Sequence, residues 1–171
     1  LDGAPLHAGL QPPLDPGEPP AGVHDFAFTP LGLLGLADPL RPEVPAAIAE
    51  ARQAGLRLVM ITGDGPTTAR SIADQAGLPP GPVLSGSDLE SLSPAVLAER
   101  VRQVDVFARV MPAQKLQLVR ALQAGGAVVA MTGDGVNDAP ALKAADIGVA
   151  MGSRGTAVAR ESADLVLLND S

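Results

Sequence analysis

The sequence contains no cysteine, so it can form neither a disulfide framework nor a thiolate metal site, and it suits a reducing compartment. No cationic, apolar leader of the secretory kind is legible at its start. Charge is scarce, and basic charge scarcer: 18% of residues are charged, with 12 Lys plus Arg against 19 Asp plus Glu and a net charge of -7. That balance argues against a surface that tracks phosphates, so no nucleic-acid partner is expected. Long apolar runs are missing as well. The longest, such as residues 31–37, fall far short of the roughly 18 residues of a membrane-spanning helix. What is present is 46% hydrophobic residues over 171 positions. That suffices for one domain with a real core and is too apolar for overall disorder.

Glycine and proline divide the chain. Residues 1–30 carry Pro5, Pro12, Pro13, Pro16, Pro19, Pro20 and Pro30 among glycines, and neither helical nor strand periodicity survives that punctuation. This stretch reads as a loop or linker, with a polyproline binding segment as the alternative. Residues 31–171 read as short apolar runs alternating with amphipathic stretches, the pattern of βα units around a parallel sheet. Strands are expected over 31–37, 56–62, 104–110, 127–132, 147–151 and 164–168. Helices are expected after Pro42, from Pro66 to Gly77, from Ser93 to about Arg102, from Pro112 to Gly125 and over 138–145. The fold class is α/β, a Rossmann-like parallel sheet flanked by helices.

Ligands of open parallel sheets bind beyond the carboxyl ends of the strands, so polar clusters there carry the most functional weight. Thr62-Gly63-Asp64 offers a hydroxyl and turn amides that could hold a phosphate oxygen; alternatively Thr62 closes the strand and Asp64 caps the helix at Pro66. Lys115 stands in the first turn of a helix, where the dipole disfavours a cation. It is therefore either solvated or placed to neutralise an anion. The string Thr132-Gly133-Asp134-Gly135-Val136-Asn137-Asp138-Ala139-Pro140 packs two carboxylates and an amide oxygen behind a buried strand. These are hard oxygen ligands of the kind Mg²⁺ takes together with phosphate and water.

This last string, continued through Ala141-Leu142-Lys143 and Ala145-Asp146-Ile147-Gly148-Val149-Ala150-Met151-Gly152, resembles the hinge region of P-type cation-transporting ATPases. Asp38-Pro39-Leu40-Arg41, Thr62-Gly63-Asp64 and Phe107-Ala108-Arg109-Val110 with Pro112 and Lys115 resemble three further motifs of that family, in the family's order. The resemblance covers about residues 31–169 and implies a haloacid dehalogenase-like phosphorylation domain. The wording around Thr132, Val136 and Lys143 is closer to the calcium and sodium/potassium branch than to the heavy-metal branch.

The resemblance implies that Asp134 holds Mg²⁺ with Asp138 in support, and that Asn137 and Asp138 order the site. It also implies that Thr62 and Lys115 bind the transferred phosphoryl group, and that Gly63, Asp64, Arg109, Asp38 and Arg41 lie on or link to the ATP side. The family's nucleophilic motif Asp-Lys-Thr-Gly-Thr does not occur in residues 1–171. The chain is therefore expected to be the C-terminal part of a cytoplasmic phosphorylation domain of an integral membrane protein, inactive alone. ATP, a transported cation, the remaining domains and the membrane helices would be its partners in the parent. Two other readings share the fold: a soluble haloacid dehalogenase-like phosphatase and a non-catalytic module that binds magnesium or phosphate. In the family the missing motif ends a central strand, so the strands from Leu56 and Ala127 are expected to have bare edges, with self-association as one outcome.

Overall fold

Proline sets where most of the helices begin. In the computed structural model, which describes Gly32 and residues 39–169, proline occupies the first or second position of α1 (Val44–Gln53), α2 (Pro66–Ala76), α4 (Pro94–Arg100), α5 (Pro112–Ala124) and α6 (Ala139–Ala144). A missing N–H costs nothing there, because the first turn has no intrahelical acceptor for it. The other two helices, α3 (Gly86–Ser91) and α7 (Ala157–Ser162), start from hydroxyl caps instead: Ser85 and Thr156 each accept the backbone N–H three residues on.

Among the described residues six strands complete the alternation: β1 (Met60–Ile61), β2 (Val83–Ser85), β3 (Val106–Ala108), β4 (Ala130–Gly133), β5 (Ile147–Met151) and β6 (Leu165–Leu167). All pairings are parallel, and the strands form two three-stranded sheets in the orders β1-β3-β2 and β4-β5-β6. The expected parallel α/β class is what the chain adopts. Strand β3 is central and wholly buried, and the pleat sends its residues to opposite faces. Phe107 packs with Leu89, Leu97, Val101 and Leu118 on one face, while Val106 and Ala108 meet Ala69 and Ala73 of α2 on the other. Helix α5 serves both sheets: Leu118 belongs to the Phe107 cluster, and its neighbour Val119 packs with Val129 and Ala141 beside β4.

Several boundaries differ from the sequence expectation. The strand expected over 56–62 shrinks to Met60–Ile61, with Leu56 60% exposed. The run expected over 127–132 becomes Ala130–Gly133, with Val128 82% exposed. The reason is common to both: among the described residues β1 pairs only with β3 and β4 only with β5, so one ladder of hydrogen bonds must define each strand. The helix expected over 138–145 divides into a 3₁₀ turn, Val136–Asp138, and α6. The strand expected over 31–37 lies outside the described residues. No helix among the described residues is long and apolar enough to cross a membrane.

Candidate functional site

The carboxyl ends of β1 and β3 are laced together by their outgoing loops. Thr62 N–H donates to the Phe107 carbonyl at 2.9 Å, Val110 N–H to the Thr62 carbonyl at 3.1 Å, and Arg109 N–H to the Asp64 carbonyl at 2.9 Å. Within the Thr62-Gly63-Asp64 turn, Thr62 Oγ1 donates to Asp64 Oδ2 at 3.0 Å and accepts Asp64 N–H at 3.1 Å. Asp64 is thus turned back onto Thr62 and does not cap α2, whose N-cap is Gly65. Arg109 follows β3 with a φ of 49°, the left-handed region that a residue with a side chain enters only under strain. Its Nε lies 4.0 Å from where a Cβ on Gly65 would be, so the expected nucleotide-side residues Gly63, Asp64 and Arg109 lie together beyond the carboxyl ends of β1 and β3.

Three residues after Met111 the chain buries Gln114, which was absent from the expected site. Its side-chain oxygen accepts Met111 N–H at 2.9 Å, and its Nε2 donates to the Gly86 carbonyl at 2.9 Å. These bonds pin the first turn of α5, the turn that carries Lys115. A Gln at the third helical position, able to reach back to the cap N–H, was the available signal.

Lys115 is paired and largely buried. Its Nζ lies 2.6 Å from Asp138 Oδ1, with side chains 20% and 9% exposed respectively. The other oxygen, Oδ2, accepts Gly135 N–H at 3.1 Å and Asp134 N–H at 3.3 Å. Both Asp138 oxygens are thus engaged inside the protein, Oδ1 by Lys115 and Oδ2 by the two amides, at the turn where it is expected to order the site and support the metal. The close fit depends on Gly133, where a Cβ would stand 2.6 Å from Asp138 Cβ. Asp134 and Asn137 are exposed beside it. Among the described residues no group of three or more His, Cys, Asp or Glu side chains is placed to hold a metal. One free carboxylate still fits Mg²⁺, an ion that keeps several waters and takes further oxygens from phosphate.

Arg41 precedes α1 and pairs with Glu43 at 3.9 Å on the surface; Asp38 lies outside the described residues. The loop after β5 was also missed. Thr156 N–H donates to the Asp134 carbonyl at 2.8 Å, tying that loop to the main chain of the Asp134 turn. A Thr before a short helix was its signal, obscured because six residues give little periodicity.

Comparison with known proteins gives the family of the chain. The sequence pattern of the haloacid dehalogenase-like hydrolases matches residues 6–146. The chain is 50% identical to a calcium-transporting ATPase of Bacillus subtilis over 169 residues, 98% of this chain and 18% of that protein. It is 55% identical over 144 residues to the cation-transporting ATPase pma1 of Synechocystis, covering 82% of this chain and 16% of that one. Over 152 residues it is 51% identical to calcium-transporting ATPase 1 of Saccharomyces cerevisiae, covering 86% and 16%. The chain thus spans less than a fifth of the length of these relatives.

Proposed function

This chain belongs to the haloacid dehalogenase-like hydrolases, and from that premise we propose that it is part of the cytoplasmic phosphorylation domain of an ATP-driven, P-type cation transporter. The observation that carries this reading is the 2.6 Å pair between Lys115 and Asp138, which brings the first turn of α5 against the Asp134 turn at the end of β4. Four motifs distant in sequence would mean little unless the fold assembled them, and this contact joins two of them.

In this reading the residues divide the work of phosphoryl transfer, which is mostly positioning and charge stabilisation. Lys115, held but not fully buried, presents positive charge to the transferred phosphoryl group. The Thr62 hydroxyl, whose one proton rests on Asp64, would turn that proton to a phosphoryl oxygen when the group binds. Asp138 orders the Asp134 turn through two amides. Asp134, with Asn137 beside it, would hold Mg²⁺, which when bound offsets charge on the phosphoryl oxygens. Asp64 and Arg109 would face the ATP side. The transported cation, the remaining domains and the membrane helices are partners of the intact transporter.

Magnesium titration of the 171-residue chain, followed by NMR, tests this reading. Shifts should centre on Asp134 and Gly135 and vanish in Asp134→Ala. Shifts confined to other regions, or an unchanged response in that variant, reject it.

A further inference from the structure

The segment 152–156 between β5 and α7 is held at both ends. Gly152 N–H donates to the Leu167 carbonyl at 2.7 Å, and Thr156 N–H donates to the Asp134 carbonyl at 2.8 Å. Between these anchors the carbonyls of Gly152 and Gly155 converge on a single atom, Arg160 Nη1, at 3.1 and 2.7 Å. Arg160 belongs to α7, whose Ala159 is fully buried against Leu142 and Ala150. The guanidinium therefore reaches the strap from a fixed base. There is no slack at Gly155, where any Cβ would collide with the Met151 carbonyl oxygen. Closing the strap on one nitrogen fixes where the Thr156 N–H points, and that N–H is the strap's hold on Asp134.

We propose that Arg160 is a positioning residue for the candidate magnesium turn, acting through the strap and the Thr156 to Asp134 bond; this rests on the assignment of Asp134 as the magnesium-binding carboxylate. Partners one layer out from a metal ligand commonly set its affinity, because an ion pays little for a ligand already in place. Two carbonyls on one nitrogen also make a specific demand. A lysine ammonium can donate to both, whereas a glutamine amide at shorter reach cannot gather them.

The experiment measures the Mg²⁺ dissociation constant of the 171-residue chain from the Gly135 amide shift, with thermal unfolding of each variant alongside. Arg160→Gln should weaken Mg²⁺ about tenfold, the scale on which loss of an outer partner weakens a metal site, and Arg160→Lys should recover most of it. Thr156→Pro removes the donor at a φ of -66° that a proline ring accepts, and should weaken Mg²⁺ comparably, so the proposal stays testable even if Arg160→Gln does not fold. Folded variants with unchanged Mg²⁺ affinity overturn the proposal. If the unsubstituted chain shows no Mg²⁺ response at Asp134, the functional reading fails instead. Amide exchange without metal then judges the strap alone: exchange at Thr156 and Gly135 should quicken in Arg160→Gln, and unchanged exchange overturns the positioning role.

Discussion

Lys115 and Asp138 are 23 positions apart in sequence and 2.6 Å apart in space, and the second lies in a turn whose amides it also holds. One carboxylate thereby fixes both the cation from one helix and the backbone of the loop that presents Asp134. The pair is a structural commitment first. Any use of the Lys115 charge on a phosphoryl group happens with Asp138 already at its side.

Removing one member of so enclosed a pair leaves the other's charge poorly compensated. Lys115→Met should destabilise the chain by about 3 kcal/mol, the low end for breaking a buried pair, because Lys115 keeps 20% exposure. Urea unfolding measures it. Adding Asp138→Asn should recover part of the loss, with a coupling energy of at least about 1 kcal/mol in the double-mutant cycle.

The two Thr-Gly-Asp turns should respond unequally to the same change. Gly133→Ala drives a methyl into Asp138 and should cost about 1–3 kcal/mol, as overpacking does, together with the magnesium response. Gly63→Ala has open space around its Cβ and should stay within about 0.5 kcal/mol. Equal costs for the two would remove the steric argument at Gly133.

Acid should act through Asp146 and Asp88. The Val129 N–H at 2.8 Å, with the Gln123 amide beyond it, holds the Asp146 carboxyl below its ordinary range; the Ser85 hydroxyl and N–H do the same for Asp88. A pKa lowered on folding contributes stability above the unfolded value of about 3.9, lost as pH falls through the folded value. Melting temperature should therefore drop below about pH 4, and Asp146→Asn should flatten that drop while costing stability at neutral pH. A variant as acid-sensitive as the parent chain would assign the effect elsewhere.

Incubation with γ-labelled ATP should leave no acid-stable label on this chain. Asp138 has both oxygens engaged, Asp134 is the proposed metal ligand, and no Asp-Lys-Thr-Gly-Thr string occurs in residues 1–171. A stable acyl phosphate would identify another aspartate as nucleophile.

Helix starts were legible in the sequence because proline and serine act locally: Pro66, Ser93 and Pro112 mark α2, α4 and α5 to within a residue. β5 was legible over its full length, since Ile147–Met151 is paired on both sides. Strand lengths at β1 and β4 were not, because hydrophobicity reports the capacity to pair and not the number of partners. β2, α3 and α7 were missed for want of length; three prolines crowd the approach to β2, at Pro79, Pro80 and Pro82. At the site, Lys115 and the Asp134 to Asp138 string stood out by type and spacing. That Asp138 would turn inward to Lys115 depends on a long-range contact that spacing does not encode.

The order of strands along the chain has a consequence for how the molecule comes apart. One sheet is drawn wholly from residues 60–108 and the other wholly from 130–167, so each can open or close as a cooperative unit of its own, and α5 is a stitch between them. Native-state hydrogen exchange should then show two plateaus of protection, one per sheet. The amides of Asp134 and Gly135, bonded to a carboxylate that is itself held by a lysine of the stitch, should exchange at the rate of the weaker half. The Lys115 and Asp138 pair, built over such a seam, is only as durable as the less stable side, and mutations that loosen either sheet, however far from Lys115, should be felt there first.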